Sequence, residues 1–307
     1  MGMASGYPSG AKFTARLRQE GQLTQTEAER LVSFTNASNP LFIIGAVSIG
    51  FFYDQQLGIL LAITHYTSNF LVGVCMRFYK YNERNNYIMP QFSLSKAFAK
   101  LHHARMKERR TLGKILGDSV THSIQTLLVI GGFIILFSVL TEIMREVHVA
   151  HFFANGIAIG LEVMHLPKEM ALPLFTGFFE ITIGANEVSQ TDSSILIKAI
   201  IVSIILAFNG FSVQAQVASI LADTDIRFTP YFFARFLHAI FASIIVILLY
   251  VPIYKHQTDS TVGSFVFLPS TVFTEMEKYY DIFEKIGFLF TLTVLIGSLI
   301  LLVKQKN

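Results

Sequence analysis

The chain has 307 residues, of which 52% are hydrophobic and only 15% are charged. Soluble domains carry about 25% charged residues, so this composition excludes a water-soluble enzyme and indicates an all-α integral membrane protein. The net charge of +3 is too small to favour nucleic acid as a partner. The sequence shows no phosphate-binding glycine loop, metal-ligand motif or nucleophile motif, so we expect no enzymatic activity, no cofactor and no metal.

Several apolar stretches are long enough to cross a bilayer, which requires about 17–25 residues. They lie at residues 58–78, 119–141, 194–222, 231–254 and 283–303. A shorter run at 40–52 reaches this length when it is joined to the amphipathic residues 26–39. Residues 147–165 are ambiguous. Residues 172–185 contain a proline and two glycines and are predicted to form a re-entrant hairpin, which a bilayer tolerates when protein surrounds it.

The connections between the spans predict the orientation of the chain. The connection at 77–114 holds ten Lys or Arg residues and two Glu residues. Such an excess of basic residues is typical of a cytoplasmic loop. Contact with nucleic acid or with anionic lipid is the less favoured explanation of the same charges.

A weak internal repeat is the most informative feature of the sequence. At a spacing of 170 residues, Asn39-Pro40 and Asn209-Gly210 each interrupt an apolar helix. Proline and glycine are both places where a membrane helix unwinds. Under the predicted topology the two halves run in opposite directions, and inverted repeats of a hairpin and a broken helix are the architecture of secondary transporters. The alternative is that two common turn-forming dipeptides coincide by chance.

The repeat and the topology together predict five segments. They are an incomplete first repeat (1–79), a basic cytoplasmic loop (80–118), a second repeat (119–254), an outer loop (255–282) and a C-terminal transmembrane helix with its tail (283–307).

Polar side chains within the spans mark the candidate site, because ionisable residues in a membrane are costly and usually functional. His65 and Asn69 share one helical face, and Arg235 and His238 share a face of the corresponding helix in the second half. The candidate substrate- or ion-binding residues are Ser5, Gly6, Tyr7, Asn36, Asn39, His65, Asn69, Glu180, Asn209, Ser212, Gln214, Gln216, Arg235 and His238. Three structural alternatives stay open: hydrogen bonds between helices, extension of Arg235 to the membrane surface, and pairing of Glu180 with Arg235.

Residues 5–12, 34–43, 212–220 and 234–239 carry a resemblance to a known family. They resemble the sporulation integral membrane proteins of the nucleoside-recognition, or Gate, family, whose hairpins and broken helices are similar to those of concentrative nucleoside transporters. The resemblance covers nearly the whole chain. It implies that the first arm of the first hairpin and the helices before it are missing, so that the chain is truncated at its N-terminus.

The resemblance also implies a function. It points to a multi-pass protein of the outer forespore membrane that moves dipicolinate, a small aromatic dianion, for spore maturation and cortex formation. Helix N-termini together with His65, His238 and Arg235 suit such an anion. The first alternative is a nucleoside transporter coupled to Na⁺ or H⁺. The second is a membrane scaffold that recruits spore-envelope partners through the basic loop. The coupling ion stays unknown, and self-association into a homo-oligomer stays open.

Overall fold

The computed structural model describes residues 2–81 and 110–255, together with residues 95, 98, 99, 102, 103 and 106. The two long ranges lie in the first of two compact units, Met1–Asp259. Every regular element in these described residues is a helix, which confirms the all-α class. The α-helices are α1 (Gly2–Ser5), α2 (Ser9–Gln19), α3 (Gln25–Thr35), α4 (Gln55–Met76), α5 (Leu112–Glu146), α6 (Val149–Val163), α7 (Ala171–Phe179), α8 (Ile181–Ser189), α9 (Ile195–Phe208), α10 (Gly210–Leu221) and α11 (Phe228–Leu249). Two π-helices, Leu41–Phe51 and Tyr250–Lys255, and the 3₁₀ turn Lys168–Met170 complete the set.

Four of the five predicted spans are confirmed as helices long and apolar enough to cross a membrane. These are Gln55–Met76, Leu112–Glu146, Ile195–Leu221 and Phe228–Lys255. The predicted span at 283–303, the predicted outer loop at 255–282 and most of the basic loop at 80–118 lie outside the described residues. Two predicted segments form shorter apolar helices, Leu41–Phe51 and Val149–Val163.

The starts of the helices follow local rules that are visible in the sequence. Asp54 begins α4, and its side chain accepts hydrogen bonds from the main-chain N–H groups of Gln56 (2.9 Å) and Leu57 (3.1 Å). Thr24 begins α3 in a capping box with Glu27, in which each side chain accepts from the main-chain N–H of the other residue. Such caps satisfy the orphan donors of the first helical turn.

Two close helix pairs flank the centre of the bundle, and each depends on glycine. The helices α7 and α8 meet at Gly177 and Gly184, where a Cβ atom on Gly184 would lie 2.2 Å from the Cα of Gly177. The helices α1 and α2 meet in the same way, since a Cβ atom on Gly2 would lie 2.7 Å from the Cα of Gly10. No residue with a side chain fits at these contacts, so glycine permits both pairs to form.

The helices α4 and α11 run antiparallel, because residues at both of their ends are in contact. At one end the guanidinium of Arg227 donates to the hydroxyl of Tyr79 (3.1 Å). At the other end the hydroxyl of Tyr254 donates to the carboxylate of Asp54 (2.5 Å). We call the end that contains Tyr79 and Arg227 the basic end, because the basic loop predicted at 77–114 begins there.

Candidate functional site

The two interrupted helices meet at the centre of the bundle. Asn209 separates α9 from α10 and lies in the left-handed region (φ 72°, ψ 10°), which asparagine adopts more readily than most residues. The first interruption spans residues 36–40, between α3 and the first π-helix. The side-chain amide of Asn209 donates to the main-chain carbonyl of Asn36 at 3.3 Å. Both asparagines are fully buried, so the second predicted break point meets the first interrupted segment inside the protein at Asn36, whereas Asn39 of the predicted first break is partly exposed and Pro40 is exposed.

Two tyrosine hydroxyls join the broken segments. The hydroxyl of Tyr7 donates to the side-chain carbonyl of Asn209 (2.5 Å) and accepts from the hydroxyl of Ser38 (2.9 Å). The hydroxyl of Tyr231 accepts from the side-chain amides of both Asn36 and Asn209, each at 3.1 Å. The sequence analysis identified Tyr7 but missed Tyr231 and Ser38. The spacing of Tyr231 from Arg235 and His238, four and seven residues along one helix, is the signal that would have found it.

Arg235 is the most unusual residue of this centre, because its guanidinium is completely buried and no carboxylate of the described residues pairs with it. It donates to the main-chain carbonyl of Ser33, lies 3.2 Å from Nδ1 of His238 and stacks 5.2 Å above the ring of Tyr231. Across the described residues no Asp or Glu lies within ion-pair distance of Arg235, and its Nε–H has no hydrogen-bond partner. The extension of Arg235 to the membrane surface is therefore wrong, and so is its pairing with Glu180. A buried cation without a counter-charge is costly.

Two histidines complete the polar cluster around Arg235, with ring centroids 4.7 Å apart. His238 donates from Nε2 to the main-chain carbonyl of His65 (3.0 Å), so its Nδ1 accepts from Arg235. Nε2 of His65 accepts from the main-chain N–H of Ser38 (3.3 Å). The proton of a neutral His65 ring therefore lies on Nδ1, and this buried donor has no partner in the part of the chain that the structure describes.

Several buried polar side-chain atoms have no hydrogen-bond partner within the described residues. Besides Nε of Arg235 and Nδ1 of His65, they include Oδ1 of Asn36 and Oγ1 of Thr64, and all four residues are at most 2% exposed. Buried polar atoms almost always have partners. Within the cluster of Arg235 and the two histidines, two donors thus lack partners among the described residues, and one of them is cationic.

The polar residues of α10 are buried but separate from this cluster. Ser212, Gln214 and Gln216 are each at most 2% exposed. The amide of Gln214 donates to the carbonyl of Phe208 at the end of α9 (3.0 Å). The remaining side-chain oxygens of all three residues lack partners, and no hydrogen bond in the described part of the chain connects these three residues to Arg235 or His65.

Several other predicted residues have structural contacts of their own. Glu180 begins α8 and accepts from the main-chain N–H groups of Thr182 (2.7 Å) and Ile183 (3.0 Å). Asn39 accepts from the N–H of Phe42 at the start of the first π-helix (2.7 Å).

Three predicted residues remain to be placed. Gly6 packs against Asn39, since a Cβ atom on Gly6 would lie 2.8 Å from the Asn39 amide nitrogen. Asn69 donates to the carbonyl of Phe34 and faces Arg235 at 3.5 Å. Ser5 is exposed and lies outside the cluster.

The long apolar helices define an integral membrane protein. Residues 127–224 match the family model described as Gate: Nucleoside recognition. The chain is similar to the "Sporulation integral membrane protein YlbJ" of Bacillus subtilis (strain 168), with 54% identity over 263 residues. The match covers 84% of this chain and 64% of the relative, so the chain spans less than two thirds of the relative's length. These similarities confirm the resemblance found in the sequence. No solved structure matches the chain.

Proposed function

We propose that the protein is a secondary transporter that moves a small organic anion of the dipicolinate type across a membrane during sporulation, without enzymatic activity. The observation that carries this proposal is the buried guanidinium of Arg235, which has no carboxylate partner within the described residues and lies beside the meeting point of two broken helices. The name of the relative supports the link to sporulation. The outer forespore membrane is the location we propose.

The polar groups of the centre suit a carboxylate ligand. A guanidinium and a neutral imidazole N–H both donate, and hydrogen bonds between charged partners are about twice as strong as those between neutral ones. Arg235 would neutralise one carboxylate, and Nδ1–H of His65 would donate to an oxygen of the same anion. The ring of Tyr231, which already stacks on Arg235, offers an aromatic surface to a planar ligand.

The joint between the two broken helices suits a structure that opens and closes. Asn36, Asn209, Tyr7 and Tyr231 connect the segments through side chains, with no continuous helix across either break. Such contacts can exchange for contacts with a ligand. In transporters built from inverted repeats, one repeat moves against the other around a fixed central site, and we propose the same motion here, driven by a gradient of Na⁺ or H⁺.

A nucleoside is the second candidate ligand, because the matched family is described by nucleoside recognition. The amides of Asn36 and Asn209 and the hydroxyl of Tyr231 suit a neutral polar ligand. A neutral ligand, however, leaves the charge of Arg235 uncompensated. Competition therefore separates the two candidates. A dicarboxylate blocks uptake if the substrate is an organic anion, and a nucleoside blocks uptake if the substrate is a nucleoside.

The test is uptake of labelled dipicolinate by liposomes that contain the full chain. We expect saturable uptake that is lost in Arg235→Gln and strongly reduced in Asn209→Gly, which retains the left-handed backbone but removes the side-chain amide. Arg16→Gln is the matched control, because Arg16 is 77% exposed and lies outside the centre. Equal uptake by Arg235→Gln and the wild type, at equal protein level and equal unfolding midpoint, would contradict the anion site.

Uptake of nucleosides alone would leave transport in place and replace the proposed substrate. Absence of uptake under every ion gradient would favour the scaffold, for which deletion of the basic loop, rather than substitution of Asn209, abolishes function.

A further inference from the structure

A groove of about 440 Å³ lies at the basic end, between the end of α4 and the start of α11. Its wall is largely apolar and includes Met76, Phe233 and Leu237. Phe233 is 64% exposed, and Phe78, which precedes Tyr79 of the groove wall in the chain, is 67% exposed. The groove therefore opens on the apolar outer surface of the helix pair, on the side away from the buried Arg235 cluster.

The groove is bordered by positive charge. Arg227 lines it with a side chain that is 50% exposed, although it is paired with the fully buried Glu29. Arg30 donates to a main-chain carbonyl of the groove wall (3.0 Å), and no carboxylate of the described residues pairs with it. Arg77 is exposed in the turn that follows α4, next in the chain to Met76 of the groove wall. Among the described residues, Arg227 and Arg30 thus lie at the apolar groove, and Arg77 follows its wall in the chain.

We propose that this groove binds one anionic phospholipid from the leaflet at the basic end. The apolar wall fits an acyl chain, and the cationic border fits a phosphate headgroup. Basic pockets between transmembrane helices on the cytoplasmic side bind anionic headgroups in this way. A neutral lipid makes no use of the charges, and a soluble anion makes no use of the outward-facing apolar wall. The volume lies within the range of ligand pockets, about 300–1,000 Å³.

The experiment is native mass spectrometry of the purified full chain, equilibrated with equal amounts of phosphatidylglycerol and phosphatidylcholine. We expect the wild type to retain phosphatidylglycerol selectively. Thr229→Trp fills the groove without altering the Arg227–Glu29 pair and should abolish this selectivity. Ile247→Trp is its control, because Ile247 is 50% exposed near the far end of α11.

A second pair of variants tests the charge and does not depend on filling the groove. Arg77→Gln should weaken phosphatidylglycerol binding about fivefold, the contribution of one cation near an anionic membrane surface. Arg16→Gln, an exposed arginine on α2, should leave binding unchanged.

Three outcomes would overturn the proposal. They are equal retention of both lipids by the wild type, equal loss in Arg77→Gln and Arg16→Gln, and displacement of phosphatidylglycerol by dipicolinate. The last result would make the groove part of the transport path.

Discussion

The contact between α7 and α8 gives the sharpest test of the fold, through the substitution Gly184→Ala. A Cβ atom at position 184 would lie 2.2 Å from the Cα and 2.4 Å from the nitrogen of Gly177, and 2.8 Å from the carbonyl oxygen of Pro173. All three atoms belong to the backbone, so no side-chain rotation relieves the clash and the two helices must separate. Overpacking of a well-packed core costs about 1–3 kcal/mol, and a clash with backbone lies at the upper limit of that range.

Alanine also favours the helix, which offsets part of this cost. Replacement of glycine by alanine within a helix stabilises by about 1 kcal/mol. The net destabilisation of Gly184→Ala is therefore about 2 kcal/mol. For a unit of this size, 1 kcal/mol shifts the unfolding midpoint by about 2–4 °C, so we expect a decrease of about 4–8 °C. Thermal unfolding in detergent, followed by the far-ultraviolet circular dichroism of the helices, measures it.

Gly156→Ala is the matched control, because Gly156 lies within α6 and a Cβ atom there meets no neighbour within 4 Å. In this variant alanine changes only the helix propensity, so it should unfold at the same temperature as the wild type or at a slightly higher one. If Gly184→Ala is as stable as Gly156→Ala, the helices α7 and α8 do not make the close contact described and the reasoning fails.

Three further substitutions test other contacts. Tyr231→Phe leaves the amides of Asn36 and Asn209 without their shared acceptor and should destabilise the fold by about 1–3 kcal/mol. Chemical denaturation measures this loss. Tyr66→Phe removes a single hydrogen bond, and an equal effect of the two substitutions would refute the prediction. Glu29→Gln should cost about 1–3 kcal/mol, less than a fully buried pair because its partner is half-exposed; an unchanged denaturation midpoint would exclude a structural role for the carboxylate. Arg18 lowers the pKa of Asp225 through its hydrogen bonds. The contribution of this ion pair to the free energy of unfolding is therefore present above the unfolded-state pKa of the carboxyl, and it is lost as the pH falls through the lowered folded-state pKa. The unfolding midpoints of wild type and Asp225→Asn should therefore converge below about pH 3.9, and a constant difference from pH 7 to pH 3 would contradict the ion pair.

The features that the sequence could predict are those set by neighbouring residues. The apolar lengths located four spans, and the dipeptide Asn209-Gly210 located the break between α9 and α10, because an asparagine before a glycine readily leaves the helical conformation. The inverted relation of the two halves stays a prediction.

The features that sequence reasoning missed are contacts between distant residues. Glu29 and Arg227 are 198 residues apart, and neither lies beside a break or in a recognisable motif. Tyr231 begins a predicted span, a position typical of an interfacial tyrosine, and only the folded chain brings its hydroxyl to both asparagines. The local pattern of Glu180, an acidic residue just before a helix, fits its observed role as an N-cap.

The conformation of Asn209 has a chemical consequence for the ageing of the protein. In flexible chains an asparagine followed by glycine loses its amide readily, because the glycine nitrogen attacks the side-chain carbonyl and water then opens the ring. A ψ of 10° turns the nitrogen of Gly210 away from the Asn209 side chain, which is held by hydrogen bonds to both tyrosines. Full burial of Asn209 also keeps water from the reaction. The same joint that unites the broken helices thus shields an ageing-prone dipeptide from deamidation.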